Sequence, residues 1–497
     1  MSSIQPAVTG PDRRLQATGL QLETAVGLVG CLIIFAGDTQ SLALIPLLAQ
    51  LEKQYSLSPS QASWALSALT LAAAAWVPTL TRLGDKLGMR RLVLVGLIVS
   101  VLGNLLSAVS TGFPMFVASR AVLGLSAAMP LVYAILRARS ANERRINRGI
   151  GILTTATGAG IAVSFLLSGV IIQADGSIRT VFWVMTALSV VALAISWWIL
   201  PDAPTRPAES IDWVGAVGIS AGLVCIVLAI TEGNTWHWSS PQVIGLLIGG
   251  VAIFALWTLY EYRAAAPMIN IRRVFNGTST PAFIAVGLLG ALGIYSNFVV
   301  SAYVEMPSIV GYGLGGSVLV CAYVLCALSA ASIACGLMSA PVIARFGPRA
   351  VMTVSGIVVA ASFFFAAFNH AQYWQYVVTN VVFGAAWGFG YAAGYAAILK
   401  ASGKGEGAMF TATNTVFGAA FASLGPGIFT AILTSKTIPH TPIPAESVFR
   451  TLWLFAAFVG VAIVALGFLV RRPRSAPADQ PDMASDTRMP VERPAQG

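Results

Sequence analysis

The nine residues Leu83–Arg91, with the sequence LGDKLGMRR, separate two long apolar runs of the chain. Two glycines permit a tight reversal here, and one carboxylate stands among three cations. Because a charged side chain is costly inside lipid, such a stretch indicates the place where a chain leaves a membrane. The segment therefore predicts an integral membrane protein with one of its faces at residues 83–91.

Composition supports a membrane location. The chain has 497 residues, of which 57% are hydrophobic and only 10% are charged, whereas soluble domains carry about 25% charged residues. Lipid offers no partner to an unpaired backbone group, so long apolar runs are expected to be helices. A β-barrel would instead show alternating strands of about ten residues. We therefore predict an all-α polytopic membrane protein.

Apolar runs long enough to cross a hydrocarbon core of about 30 Å recur along almost the whole chain. We expect fourteen transmembrane helices, near residues 25–48, 62–82, 91–110, 114–136, 148–172, 180–200, 211–231, 242–262, 281–303, 317–343, 350–368, 373–398, 407–434 and 449–470. The first span lacks a small-residue cleavage site and is expected to be retained.

Cation placement predicts the orientation of the spans. With both termini in the cytoplasm, 24 of the 29 Lys and Arg residues lie in or beside cytoplasmic segments, as the positive-inside rule requires. The net charge of +10 is then mainly a signal of topology, and nucleic-acid binding is not expected. We predict a multi-pass protein of the cell membrane whose partner is the lipid bilayer and which works as a monomer.

A short internal repeat indicates two related halves. Residues 342–349 (VIARFGPR) echo residues 83–90 in their glycine and arginine positions. We predict a cytoplasmic tail at 1–24, a six-helix bundle at 25–200, a linker with two inserted helices at 201–262, and a second six-helix bundle at 263–470. The proline-rich segment 471–497 is expected to be a disordered cytoplasmic tail.

Four segments resemble the major facilitator superfamily, specifically its fourteen-span drug:proton antiporter branch: Leu57–Trp64, Gly84–Arg91, Arg120–Gly124 and Ile211–Gly215. The resemblance implies two six-helix bundles plus two inserted helices. It also implies transport by alternating access, in which the substrate site opens to each side of the membrane in turn.

The sequence departs from this pattern at several motif positions. Thr81 stands where the turn motif begins with glycine, and Leu123 replaces the glutamine of the Arg-x-x-Gln-Gly motif. Phe165 stands at the proline position of the antiporter motif in the fifth span, and Ser164 and Ser168 stand at glycine positions. In the first span an aspartate is expected nine residues before Pro46, but Asp38 lies one place later. These differences weaken the assignment to the antiporter branch more than the assignment to the superfamily.

Asp38 and Arg120 are the ionisable residues deepest in the apolar spans. Such residues normally face a cavity and have a partner. We expect a proton, a cationic substrate and Arg120 to compete for the Asp38 carboxylate, and the resemblance implies a role for Arg120 in proton coupling. The alternatives are an Asp38 that only packs between helices and an Arg120 bonded to backbone carbonyls.

The charged turn has two interpretations. It could act as a conformational latch, with the acid at a helix terminus and an arginine as counter-charge, or its cations could simply anchor the chain at the lipid surface. The residues concerned are Gly84, Asp85, Gly88, Arg90 and Arg91. Because the echo has Ala344 at the acidic position, a latch would act in the first half alone.

Other residues within the spans are candidates for packing or substrate contact. Helix packing or hinge motion is predicted at Gly124, Gly158, Gly160, Gly169, Gly425 and Pro426. A pocket for a bulky amphiphile is predicted from Asn104, Tyr133, Tyr295, Asn297, Tyr323, Asn380, Trp387, Tyr391 and Asn414. Glu232 and Glu305 lie near outer helix ends, where we expect them to be in water rather than to carry protons.

No metal site, cofactor or enzymatic chemistry is expected. The five cysteines lie in apolar spans, and the three histidines fall in outer loops without metal-ligand spacing. We predict a secondary active transporter that exports hydrophobic or cationic small molecules in exchange for protons. The alternatives are import or facilitated diffusion of a metabolite and, more remotely, a membrane sensor or enzyme.

Overall fold

The computed structural model describes a molecule whose regular structure is helical apart from one isolated bridge between Thr437 and Pro444. The residues that it describes are 22–33, 42–128, 131–132, 134–135, 159–174, 177–201, 212–264, 271, 279–401, 407–439, 441 and 443–470.

Fifteen α-helices fall within these ranges. They are α1 (Leu22–Ile33), α2 (Leu48–Tyr55), α3 (Pro59–Leu87), α4 (Met89–Ala108), α5 (Phe113–Gly124), α6 (Ala159–Ala174), α7 (Ile178–Ile199), α8 (Trp213–Glu232), α9 (Pro241–Arg263), α10 (Thr280–Val304), α11 (Val318–Leu337), α12 (Ser339–Phe368), α13 (Tyr373–Ala401), α14 (Gly407–Leu433) and α15 (Glu446–Leu469). Two 3₁₀ turns occur at Ile45–Leu47 and Ser308–Val310.

Nine of the described helices are long and apolar enough to cross a membrane, and four shorter apolar helical segments accompany them. The all-helical membrane fold that the composition predicts is therefore confirmed. The count of fourteen stays a prediction, because several expected spans include residues outside the described ranges. The expected tails at 1–24 and 471–497 lie almost wholly outside these ranges as well.

The fourth expected span, 114–136, is interrupted: α5 ends at Gly124, and the described residues 131–132 and 134–135 are helical again. The N–H groups of Leu125 and Ser126 bond to carbonyls three residues earlier, and the Ser126 hydroxyl also donates to the Leu123 carbonyl at 2.7 Å. A serine that bonds its own backbone competes with the helical ladder. Pro130, which has no N–H, follows shortly after.

Helix α3 begins at a capping box and continues through most of the charged segment. The Ser58 hydroxyl accepts from the Gln61 N–H, and the Gln61 side chain accepts from the Ser58 N–H at 3.0 Å. The chain then stays helical as far as Leu87, so the reversal needs one glycine rather than two. That residue is Gly88, with φ of 100°, a backbone conformation that strongly favours glycine.

The echo at residues 342–349 has the same local geometry. Gly347, at φ 80° and ψ 155°, interrupts α12 as Gly88 separates α3 from α4. The arginine two residues later lies over an aromatic ring in each case. The Arg90 guanidinium is 5.8 Å from the centre of the Trp197 ring, and that of Arg349 is 5.9 Å from the Phe468 ring.

Helix packing divides the described residues into three groups. In the N-terminal half (residues 22–201), α4 packs against α5 and α7, and α3 packs against α5. In the C-terminal half (residues 279–470), α12 packs against α13 and α15, while α10 packs against α14. Helices α8 and α9 pack against each other, and α8 also contacts α3 of one half and α14 of the other. Helix α8 therefore lies along the seam between the halves.

The two halves meet at the end of the molecule that carries residues 45–58 and 305–317, which we name the Glu305 end. Here the Ile45–Leu47 turn contacts α10 and α11, and one apolar core joins residues of both halves. We name this region of contact the junction. At the opposite end, the Asp85 end, the described apolar residues of the N-terminal half form a separate cluster that includes Leu80, Val93 and Leu97.

We predict that Gly124→Ala destabilises the fold. A Cβ atom at residue 124 would clash with the Leu69 carbonyl of α3 and lie 2.9 Å from the backbone nitrogen of Ala73, so the helices must separate. Overpacking of this kind costs about 1–3 kcal/mol and should lower the melting temperature in detergent, followed by tryptophan fluorescence. Gly245→Ala is the matched control, because a Cβ there meets nothing within 4 Å. Equal melting temperatures for the two variants would contradict the prediction.

Candidate functional site

Arg120 is fully buried within the N-terminal half. Its Nε–H donates to the Ala65 carbonyl of α3 at 3.2 Å, and its guanidinium lies 5.7 Å from the centre of the Phe182 ring of α7. The residue therefore connects three helices of one half. This contact with a backbone carbonyl matches the alternative in which Arg120 has a structural role. The guanidinium has several more N–H groups, so the contact also leaves room for a carboxylate partner.

Asp38, the expected partner of Arg120, lies outside the described residues, as do Tyr133 and Gly158. The pairing of Asp38 with Arg120 therefore stays a prediction. Asp85 lies in the last turn of α3, and its side chain also falls outside the described part. The latch interpretation of Asp85 likewise stays a prediction.

Arg90 binds the end of the last helix of its own half. Its Nε–H donates to the Leu200 carbonyl at 2.8 Å, and its Nη2–H donates to the Trp197 carbonyl at 2.6 Å. The carbonyls at a helix C-terminus lack intrahelical partners and carry partial negative charge, which a cation stabilises. Arg90 is buried, whereas Arg91 is exposed. Adjacent arginines of the segment thus have different environments.

Gly169 was predicted to pack or bend helices, and it lies against a helix of the opposite half. A Cβ atom at residue 169 would lie 2.9 Å from the Leu319 Cα atom of α11. Close to Gly169 on α6, the Ala162 carbonyl accepts from the Cys326 thiol at 3.4 Å. Gly160 is buried in α6. Gly425 and Pro426 lie inside the continuous helix α14, where Gly425 faces the Ala291 carbonyl of α10.

Five of the predicted pocket residues are buried in the described part of the chain, namely Asn104, Tyr295, Asn297, Asn380 and Asn414. Asn104 donates to the Ser189 hydroxyl of α7 at 3.1 Å, and Asn380 donates to the Val324 carbonyl of α11 at 3.0 Å. The Tyr295 hydroxyl donates to the Leu452 carbonyl of α15 at 2.8 Å. Asn297 is also buried, whereas Tyr323 is 60% exposed. Asn104, Tyr295 and Asn380 join neighbouring helices, so their amide and hydroxyl groups have structural partners.

A ladder of aromatic rings follows one side of α13. Trp387 stacks on Tyr391 with ring centres 4.7 Å apart and planes 18° apart, and Tyr391 lies 5.2 Å from Tyr395. The Trp387 indole donates to the Leu289 carbonyl of α10 at 2.9 Å, and the Tyr395 side chain lies beside Asn414 of α14. All three rings are partly exposed. The sequence analysis named Trp387, Tyr391 and Asn414 but missed Tyr395, although its spacing of four residues indicates the same helix face.

The inserted helices are bonded to both halves at the Glu305 end. The Trp64 indole N–H of α3 donates to the Glu232 carboxylate at the end of α8. Two residues later, the Asn234 amide donates to the Ala431 carbonyl and to the Thr434 hydroxyl, each at 2.6 Å, in the C-terminal half. Trp64 was noted in the sequence only as part of a motif, and Asn234 was missed. Glu232, which was expected to be in water, thus also accepts a hydrogen bond from the protein.

Comparison with known proteins agrees with this architecture. Many apolar helices in two halves that meet at one end define a multi-pass helical membrane transporter. The profile of the Major Facilitator Superfamily matches residues 28–330 and 301–493. The chain therefore belongs to the Major Facilitator Superfamily.

Two relatives have names that state a role. The tetracenomycin C resistance and export protein of Streptomyces glaucescens is 28% identical over 69% of this chain and 61% of its own length. The methylenomycin A resistance protein of Bacillus subtilis (strain 168) is 24% identical over 87% of this chain and 91% of its own. The chain spans about two thirds of the length of several other curated relatives, 66% and 62% in two cases.

Among solved structures, a mutant form of the nucleoside transporter NupG superimposes with a TM-score of 0.61 at 15% identity. The alignment covers 91% of this chain and all of NupG. The human organic anion transporter MFSD10 gives a TM-score of 0.60 at 14% identity, over 93% of this chain and all of its own. At these identities the likeness concerns the fold alone, and it confirms the major facilitator fold that the sequence resemblance implies.

We predict that Arg90→Met lowers the free energy of unfolding by about 3 kcal/mol, because two hydrogen bonds from a charged group are lost. Arg91→Met is the matched control, since it removes the same charge from an exposed neighbour and should change stability by less than about 0.5 kcal/mol. The measurement is denaturant unfolding in detergent micelles. Similar losses for both variants would show that charge alone, rather than the bonds to α7, determines the effect.

Proposed function

We propose that this transporter exports hydrophobic or cationic small molecules and is driven by the counterflow of protons. The observation that carries the proposal is the burial of a whole arginine, Arg120, in the apolar interior of the N-terminal half. A buried cation is costly and favours a nearby carboxylate. In our proposal that carboxylate is Asp38, and its protonation changes when substrate binds or leaves.

Alternating access would provide the coupling. The described residues have the two halves in contact at the Glu305 end, while the N-terminal half has its own apolar core at the Asp85 end. This arrangement supports a state that is closed at the Glu305 end. We assign the Asp85 end and both termini to the cytoplasm from the distribution of cations. Asp85 is proposed to latch the Asp85 end when that end closes, and the inserted pair α8 and α9 is proposed to accompany both bundles.

The aromatic ladder of α13 suits the proposed substrate class. Stacked indole and phenol rings offer apolar faces and attract cations through their quadrupoles. The three rings lie beside α10 and α14, where Asn414 adds a polar group. The relatives named for resistance and export support export of an organic molecule. The compounds in the names of these relatives describe those proteins alone.

Import or facilitated diffusion of a metabolite is the second candidate. The observation that favours it is Phe165, which stands at the proline position of the antiporter motif and is buried within helix α6. Phenylalanine keeps the backbone N–H that proline lacks, so α6 continues through this position. A facilitator would move its substrate without any pH gradient.

The decisive experiment is transport in proteoliposomes with an imposed pH gradient and ethidium as the lipophilic cation. We expect accumulation that depends on the gradient and vanishes with a protonophore. In Asp38→Asn, gradient-driven accumulation should be lost while exchange of labelled for unlabelled ethidium persists. Equal ethidium movement with and without the gradient would favour the facilitator, and a fully active Asp38→Asn protein would contradict the proposed coupling.

Arg120→Lys should reduce gradient-driven transport about 10- to 100-fold, since lysine keeps the charge but cannot reproduce the planar donor geometry, and a lost charged hydrogen bond is worth about 1.5–3 kcal/mol. Arg450→Lys is the matched control. The Arg450 guanidinium lies 5.5 Å from the Phe368 ring near the start of α15. Transport reduced equally in both variants would exclude a specific role for Arg120.

Trp387→Ala should weaken ethidium binding about 2- to 30-fold, which corresponds to the loss of about 0.5–2 kcal/mol of cation–π attraction. Trp374→Ala removes the same side chain from an exposed position at the start of α13 and should leave the dissociation constant unchanged. Fluorescence titration of the purified protein measures both constants. Unaltered binding in Trp387→Ala would remove the ladder from the proposed site.

A further inference from the structure

Glu305 follows the last residue of α10 and lies at the junction of the two halves. Its Oε1 atom lies 2.7 Å from the hydroxyl oxygen of Ser301, one turn earlier on the same helix. The same hydroxyl oxygen lies 3.2 Å from the Ile45 carbonyl oxygen, which belongs to the N-terminal half. Glu305 is partly exposed, so the expected contact with water is compatible with its place at the junction. The Glu305 carboxyl, the Ser301 hydroxyl and the Ile45 carbonyl thus form a row of hydrogen-bonding groups across the junction.

The protonation state of Glu305 decides how the Glu305 carboxyl, the Ser301 hydroxyl and the Ile45 carbonyl bond to one another. A serine hydroxyl has one proton to donate and can accept through its lone pairs. If Glu305 is ionised, it only accepts, and the Ser301 proton is drawn to the carboxylate and away from Ile45. If Glu305 is protonated, its O–H donates to Ser301 and the Ser301 proton is free for the Ile45 carbonyl. Both contacts are fully made at once only when Glu305 carries a proton.

If the hydrogen bond from the Ser301 hydroxyl to the Ile45 carbonyl is broken, the carbonyl still has a partner. The Ile45 carbonyl also accepts from the Leu48 N–H at the end of the 3₁₀ turn. A buried polar group without a partner is costly, but here the turn keeps its own hydrogen bond when the halves separate. Separation of the halves at this point therefore leaves no unpaired backbone carbonyl at Ile45.

The charged and titratable neighbours of Glu305 come from two other helices. Burial raises the pKa of the Glu305 carboxyl to about 8, and the nearby Glu52 carboxylate of α2 raises it further. Hydrogen bonds from Ser301 and from the Cys321 thiol of α11 act in the opposite direction, as does Lys53. Burial also raises the pKa of Glu52 to about 7. Two carboxylates from opposite halves thus lie together where the halves meet.

We propose that Glu305 is a proton-binding site at the junction, and that its protonation holds the Glu305 end closed by joining Ser301 to the Ile45 carbonyl. Glu305 is a different group from the Asp38 and Arg120 pair proposed above for coupling. It rests on the proposed function in one respect, namely that the Glu305 end opens and closes during transport. Ionisation of Glu305 releases the link and places its negative charge beside Glu52, and both changes favour opening.

The direction of the pH effect follows from the two states of the carboxyl. In an open, hydrated end Glu305 should titrate near its ordinary value of about 4.5, whereas in the closed junction its pKa lies near 8. Between these values the closed state binds more protons than the open state. The ratio of closed to open molecules should therefore rise by up to about tenfold for each unit by which the pH falls.

The test is an electron spin resonance measurement of distance across the Glu305 end. Spin labels are attached after Gln54→Cys and Ile309→Cys, two exposed positions in opposite halves, with the five native cysteines replaced by alanine. Replacing Cys321 removes its thiol contact equally from every variant. The full-length protein in nanodiscs is compared at pH 5.5, 7 and 9. We expect the fraction of molecules with the longer distance to increase as the pH rises.

Three variants identify the responsible group. Glu305→Gln supplies an amide that donates to Ser301 at every pH, so the short distance should predominate throughout. Ser301→Ala removes the link, so the long distance should be more populated at pH 5.5, while a response to pH persists because burial still raises the pKa of Glu305. Glu446→Gln removes another acid of the same end, which lies 3.9 Å from His370, and should keep the original response.

An unchanged pH response in Glu305→Gln would overturn the proposal. Should Glu305→Gln fail to fold, Ser301→Ala decides, because an unchanged fraction of the longer distance at pH 5.5 in that variant would overturn the proposed link equally. The proposed transport function fails in a different way. If the distance stays single at all pH values and with ethidium present, the Glu305 end does not open at all. If it varies but Glu305→Gln has no effect, only the role of Glu305 is wrong.

Discussion

The constraint on which this structure depends is that lipid offers no hydrogen-bond partner. Polar side chains within the bundle must therefore find partners in the protein, and most of those described find backbone carbonyls. Arg120 binds the Ala65 carbonyl, Asn380 binds that of Val324, and Trp387 binds that of Leu289. Each bond joins two helices. The polar residues thus determine which helices pack together, and a group that serves transport must also satisfy this structural requirement.

The contacts between the halves combine close helix packing with single hydrogen bonds. Within a half, helices approach closely at glycines such as Gly124 and Gly384, where a Cβ would clash with a neighbouring backbone carbonyl. Between the halves, the described contacts at the Glu305 end include single hydrogen bonds that involve Ser301, and Asn234 and Trp64 connect through the inserted segment. Across the halves, α3 also packs against α14, and Gly169 of α6 lies against Leu319 of α11. Single hydrogen bonds beside this packing suit a junction that separates when the halves move as units.

Much of the fold could be predicted from the sequence, because hydropathy reports directly on membrane spans. The expected spans 281–303 and 373–398 agree with α10 and α13 within three residues at each end. The failures occur where local bonding overrides hydropathy. Helix α5 ends early at Gly124 because Ser126 bonds its own backbone, and α3 continues through Gly84 because a glycine there fits against Leu131.

The site was harder to predict, because helix rotation decides what an intramembrane residue contacts. Asn104 and Tyr295 were expected in a pocket but hydrogen-bond a neighbouring helix of their own half. Glu305 was expected in water from its place at a helix end, and only the fold brings the Ile45 carbonyl of the other half to its Ser301 neighbour. No spacing rule relates residues 45 and 301. The roles of Asp38 and Asp85 remain proposals from the sequence.

The central claim is that the two ends of the molecule open alternately. The most direct test is the distance across the Asp85 end, between spin labels attached after Leu87→Cys and Phe346→Cys, two exposed positions in opposite halves, measured together with the distance across the Glu305 end. The account predicts that any condition that lengthens one distance shortens the other. Two distances that lengthen together, or that vary independently, would contradict it.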